Sequence, residues 1–168
     1  MSDSDLDEDH VARVHAQWKH EMPDVEIIGA RVLARAGRIT LRTRRDIDAV
    51  FKKFGLDSGE FYVLSALRRA GARGALRPTE IYRSLMISSG GLTDRLDRLE
   101  AAGLVRRRPS EEDARSMLVE LTPAGRKRID AAFRADMELE NRLVAGLTLK
   151  ELSELAHLLR KLALSIGA

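Results

Sequence analysis

The chain has no cysteine among its 168 residues. Disulfide bridges, thiol nucleophiles and cysteine-based metal sites are therefore excluded, and the composition suits a reducing compartment. Aromatic residues make up only 4%, with a single tryptophan, Trp18. No apolar run reaches the roughly 20 residues that a membrane-spanning helix needs. The start, "MSDSDLDEDH", is acidic where a signal peptide is basic and then apolar. A soluble, cytoplasmic protein with no membrane partner is expected.

Histidines are also few, four in all. His10, His15 and His20 recur every five residues, which is not the i, i+4 spacing that sets two ligands on one helix face. No metal site is expected. Paired histidine and acid at catalytic spacing are missing, as is a phosphate-binding glycine loop, so neither an enzyme nor a cofactor is expected.

Hydrophobic residues make up 44% of the chain, enough for one compact domain with added terminal helices. The net charge is only +3, but it is unevenly spread: acid gathers at the start and arginine in "RTRR", "RRR" and "GRKR". This pattern admits a polyanionic partner without proving one.

Apolar spacing predicts a helix over 9–20, carrying Val11, Val14 and Trp18 on one face and interrupted by Pro23. A three-four pattern then runs from about Glu26 to Phe54, as one long helix or two abutting ones ending at Gly55. Asp57 or Ser58 caps the next helix, which stops at Gly71, and a brief strand fits the segment before Pro78. Two further helices, one opening at Pro78 or Thr79 and one over 89–101, form a helix-turn-helix pattern.

The runs "LVRRR" and "SMLVEL" around polar "PSEEDAR" read as a hairpin, so that a helix-turn-helix is followed by a basic wing. Thr122 and Pro123 open the next helix, and Thr148 with Glu151 form a capping box for a leucine-rich last one. The fold class is thus mainly α with a small β-hairpin: a winged helix-turn-helix flanked by N- and C-terminal dimerisation helices. The surplus of apolar helix faces predicts a homodimer.

In the helix 89–101, Leu92, Leu96 and Leu99 face inward, while Gly90, Thr93, Asp94 and Asp97 face outward and Arg98 lies at the edge. Ser88, Ser89 and Gly90 at its start allow close approach to phosphates. An aspartate there can accept from a cytosine amino group or hold a neighbouring arginine in place. Arg108 belongs to the basic run entering the hairpin. Arg115, near the hairpin tip, is suited to a narrow minor groove, and Asp113 can fix its orientation. These nine residues are the candidate contacts to double-stranded DNA. A helical interaction module that does not bind DNA is the competing class, and salt-dependent binding to duplex DNA separates the two.

The segment "PTEIYRSLMISSGGLTDRLDRLEAAGLVRRRPSEEDARSMLVELTPAGR" resembles the core of the MarR family of bacterial transcription regulators. The helix-turn-helix, "RLEAAGLVRR", the D-x-R of "EDARS" and "LTPAGR" stand in family order. The resemblance implies a dimeric winged-helix protein that binds a palindromic operator, usually as a repressor released by small anions or phenolic compounds.

"VHAQWKHEMPD" and the residues Trp18, Asp48, Arg83 and Arg95 further resemble the urate-responsive, PecS-like subgroup. The resemblance implies that these four bind an anionic or aromatic effector. Trp18 would cover a planar ring, Arg83 and Arg95 would pair with its anionic atoms, and Asp48 would hold Arg95 in its absence. Periodicity alone does not choose between Asp46 and Asp48. The arginine-rich stretch before Asp46 departs from the subgroup and leaves the effector open between urate, another anion such as a phenolic acid, and none.

The expected organisation is an acidic disordered segment over 1–8 and N-terminal helices for dimerisation and the effector pocket over 9–54. The DNA-binding core spans 55–121, and C-terminal dimerisation helices span 122–168.

Overall fold

Helix boundaries fall where side chains or glycines satisfy the backbone. The computed structural model describes residues 9–71, 74–85, 91–110 and 116–167. The expected acidic segment over 1–8 and the candidates Ser88, Ser89, Gly90, Asp113 and Arg115 lie outside the described residues.

The chain divides into two compact units, Met1–Asp46 and Ile47–Ala168, with the boundary inside one helix. In the first unit, α1 (His10–Glu21) opens on Asp9, whose carboxylate accepts from the Ala12 amide at 2.8 Å. The same carboxylate receives Arg35 through Nε and Nη2 at 2.9 and 2.8 Å. Arg35 belongs to α2 (Ile28–Lys53), one unbroken helix over the stretch that the spacing left as one or two.

In the second unit, α3 (Ser58–Arg69) begins with a complete capping box. Asp57 accepts from the Glu60 amide at 2.7 Å, and Glu60 accepts from the Asp57 amide at 2.9 Å. After α3 come β1 (Ala75–Leu76), α4 (Pro78–Ser84) and α5 (Leu92–Ala101). The last of these starts at Leu92, later than the expected 89, because Gly91 stands in the left-handed region at φ 82°, outside helical geometry.

Strands β2 (Val105–Pro109) and β3 (Met117–Leu121) form the expected antiparallel pair, Val105 opposite Leu121 and Pro109 opposite Met117. The strand β1 joins the far edge of β3, giving the order β1-β3-β2. Thr122 caps α6 (Pro123–Leu143), accepting from the Gly125 amide at 3.0 Å. The last helix, α7 (Leu149–Ser165), carries the expected Thr148–Glu151 capping box.

The core of this unit gathers on α3. Phe51 stacks on Phe61 with ring centroids 3.9 Å apart, and Val63, Leu64 and Leu67 are fully buried with Ile81, Leu99, Val119 and Ile129. Burial of this order, on the order of 2 kcal/mol per large apolar side chain, fixes α4, α5, α6 and the sheet around α3. By contrast, α7 buries none of its residues, and Leu158 stays 54% exposed. No helix among the described residues is long and apolar enough to cross a membrane.

Candidate functional site

Four residues at the start of α3 connect two residues of the expected effector site with α5, the expected reading helix. Ser58 donates its hydroxyl to the Asp48 carboxylate, on the last turns of α2. Next to it, Gly59 leaves room for Arg95 of α5. A β-carbon at position 59 would lie 2.0 Å from Arg95 Nε and 2.7 Å from Cζ. The Nε atom is buried there.

The other wall of the same turn is acidic. Arg98, one helical turn after Arg95, donates from Nε to Glu60 and from Nη2 to Asp57, both at 2.8 Å. The carboxylates that cap α3 thus also hold α5. These partners were not legible in the sequence, which placed Arg98 only among the DNA contacts.

Asp48 and Arg95, two of the four expected effector residues, therefore meet adjacent residues, Ser58 and Gly59. Asp46 belongs to the first unit and accepts from Arg42 at 3.3 Å. Arg83 is exposed in the last turn of α4. Trp18 belongs to the first unit, 54% exposed. It lines a cavity of about 360 Å³ together with Val11, Val14, Arg31 and Arg38.

On the expected nucleic-acid face, Thr93 and Asp94 are exposed in the first turn of α5. Arg107 of β2 ties the wing to that helix, donating to Asp97 at 2.6 Å and to Glu100 at 2.7 Å. Asp97 thus holds a neighbouring arginine, the role open to an aspartate on this helix. Arg106 and Arg108 both meet Glu120 across the hairpin, the latter at 3.1 Å. Burial raises the Glu120 carboxyl, but hydrogen bonds from Arg108 and Arg106 outweigh it and hold it below its ordinary value. The described residues contain no cluster of three or more potential metal ligands.

A further acid lies in the second unit, outside the expected sites. Asp136 of α6 is only 4% exposed, seven residues after buried Ile129 and four after buried Ala132. Its place in that apolar stripe was the available signal.

The architecture and this chain's similarities agree. The MarR family profile matches residues 54–116. The chain is 38% identical over 149 residues to the HTH-type transcriptional regulator PecS of Dickeya dadantii, covering 89% of this chain and 90% of that one. A MarR variant from Escherichia coli, complexed with operator DNA, superposes with a TM-score of 0.68 at 25% identity, covering 86% of this chain and 96% of that one. BpsR of Bordetella bronchiseptica, whose DNA binding is regulated by 6-hydroxynicotinic acid, matches with a TM-score of 0.61 at 26% identity, over 77% and 98% of the two chains. The chain belongs to the MarR family of DNA-binding transcriptional regulators.

Proposed function

We propose that the chain binds a palindromic operator as a homodimer, represses transcription there, and is released by a small anionic effector, with urate the first candidate. The observation that carries the reading is the seat of Arg95 against Gly59. An arginine on the reading helix is lodged where the long helix, through Asp48, meets α3. An anion drawn to Arg83 and Arg95 competes for that guanidinium and shifts α5, which changes the fit of the two reading helices to the operator. A ligand acts only through its different affinities for the two arrangements.

Two further observations support the reading. The exposed leucines of α7 and the exposed Ile39 and Leu41 of α2 supply apolar faces for a second copy. Asp48 of α2 and Arg95 of α5 meet adjacent residues, Ser58 and Gly59, at the start of α3, in keeping with the resemblance to the urate-responsive subgroup. Trp18 joins the set on the strength of that resemblance alone.

A second reading keeps the regulator and replaces urate with another aromatic acid. The cavity beside Trp18 favours it, because Arg31 and Arg38 line that cavity and suit an aromatic carboxylate. The similarity to a regulator controlled by 6-hydroxynicotinic acid points the same way.

One experiment tests both. Urate and 6-hydroxynicotinate are titrated against the protein bound to a labelled fragment of its own promoter, while Trp18 fluorescence is followed with correction for ligand absorbance. Release by urate that is lost in Arg95→Ala supports the first reading. Release by the aromatic acid alone, lost in an Arg31→Ala, Arg38→Ala pair, supports the second. Release by urate that survives Arg95→Ala removes the switch, and salt-independent or absent DNA binding removes the regulator itself.

A further inference from the structure

Most of the large apolar side chains left open to solvent lie on helices outside the segment 55–121. Among the described residues of that segment, the two such side chains are Tyr82 of α4 and Met117 of β3, the latter 42% exposed. Tyrosine has a hydroxyl that suits a wet surface. Methionine has no donor, and its exposure gains nothing from water.

The hairpin register fixes which way Met117 faces. Side chains alternate along a strand, and residues directly opposite each other in an antiparallel pair share a face. Val105 with Leu121, Arg107 with Val119 and Pro109 with Met117 therefore make one face of the wing, and Arg106, Arg108, Leu118 and Glu120 make the other. The first face turns toward α5: Val105 and Val119 are buried, and Arg107 donates to Asp97 and Glu100 of that helix. Both Pro109 and Met117 are exposed. An apolar cross-strand pair thus extends the α5 side of the wing beyond the point where Arg107 ties it to the helix.

We propose that Met117, backed by Pro109, is a positioning contact to operator DNA, packing against the deoxyribose sugars that line the groove under the wing. The inference rests on the reading of the wing as part of the DNA interface. A duplex strand alternates sugar with phosphate, and the wing matches it in kind: the cations Arg106, Arg107 and Arg108 run directly into Pro109. Contact with sugar reads no base; it fixes where the protein sits on the duplex. Because it neutralises no phosphate, it adds affinity without adding salt dependence.

The test uses the full-length protein and a labelled fragment of its own promoter, with fluorescence anisotropy at several salt concentrations. Met117→Ala should weaken binding by about three- to tenfold, the effect of no longer burying the exposed part of the side chain. Met117→Leu, apolar and of similar volume, should bind within about twofold of native. The slope of log affinity against log salt should be the same for all three. Hydroxyl-radical cleavage, which attacks the sugars from the minor groove, should reveal positions protected by the native protein and by Met117→Leu that are open with Met117→Ala. As a reference on the same hairpin, Arg108→Ala should lower the salt slope by about 1.

Full affinity and an unchanged footprint for Met117→Ala, with a reduced slope for Arg108→Ala, overturn the sugar contact and leave the wing at the DNA. An unchanged slope for Arg108→Ala, with no effect of Met117→Ala, removes the wing from the interface and the proposal with it. Equal losses in Met117→Ala and Met117→Leu, accompanied by lower urea midpoints, also overturn it and assign Met117 to the stability of the hairpin.

Discussion

Arg95 of α5 fills the space that a side chain on Gly59 of α3 would need, a β-carbon at 59 lying 2.0 Å from Nε and 2.8 Å from Cδ. The pair is coupled by exclusion: the Arg95 side chain occupies the space that Gly59, having no side chain, leaves open. Glycine inside a helix costs about 0.5–1 kcal/mol relative to alanine. Gly59→Ala in an Arg95→Ala background should therefore stabilise the protein by about that amount. In the native background the same change must expel the guanidinium, and the gain should vanish or reverse. A double-mutant cycle by urea denaturation should give a coupling of at least about 0.5 kcal/mol. Gly59→Ala should also blunt effector-driven release from DNA, as Arg95→Ala should. Additive stabilities would sink this account.

The acidic turn beside that contact makes a second prediction. Asp57 caps α3 and also receives Arg98. Asp57→Asn keeps a capping side chain and removes the charge, whereas Asp57→Ala removes both. Loss of the cap should cost about 1 kcal/mol. The asparagine variant should be nearly as stable as native but should show altered operator affinity, because Arg98 then holds α5 through Glu60 alone. Equal DNA binding by native and Asp57→Asn proteins would show that the tether does not position the reader.

Much of this architecture was legible in local chemistry. The caps at Asp57, Thr122 and Thr148 and the break at Gly55 each act within a few residues of the backbone they serve, so the sequence displays them directly. The contacts that couple elements were not legible. Arg98 reaches Glu60 across 38 positions, and Arg95 reaches Gly59 across a similar gap. Periodicity reports which face of a helix is inward but not what it meets there. The start of α5 was misplaced because serine and glycine before Leu92 read as helix-opening residues, whereas Gly91 takes a left-handed conformation. Asp136 interrupts an apolar stripe of α6, and a hydrophobic period counts only the apolar members of such a stripe.

Gly125 tests the joint between wing and α6. A β-carbon there would lie 1.9 Å from the Leu104 carbonyl oxygen. That oxygen also accepts from the Thr122 amide at 3.1 Å, so the helix start cannot retreat without losing its anchorage. Gly125→Ala should destabilise by about 1–3 kcal/mol, since the obstacle is backbone. Gly146→Ala, where the added carbon meets nothing within 4 Å, is the control. Similar denaturation midpoints for the two variants would contradict the close approach.

Glu120 offsets part of the positive charge of the wing. Arg106 and Arg108 share its carboxylate. Glu120→Gln keeps the shape and removes the negative charge, so the wing becomes more cationic. Affinity for non-specific duplex DNA should rise, and the slope of log affinity against log salt should steepen by about 1. An unchanged slope would mean that these arginines do not approach phosphate.

The buried Asp136 sets a pH dependence of stability with a defined sign. Its folded value, about 6, lies above the ordinary 3.8, chiefly through burial and secondly through Glu140. A raised acid binds its proton more tightly when folded. Its contribution is therefore most favourable below about pH 4 and is lost as pH rises through about 6. Above that, the ionised group, only 4% exposed, should cost about 1–3 kcal/mol. Asp136→Asn, which cannot ionise, should therefore be the more stable protein at pH 8. Its advantage should shrink between about pH 6 and pH 4. Urea midpoints taken at one fixed protein concentration, so that dimerisation does not intrude, measure the difference directly. A gap that is constant across that range, or widest in acid, would show that Asp136 is not the titrating group.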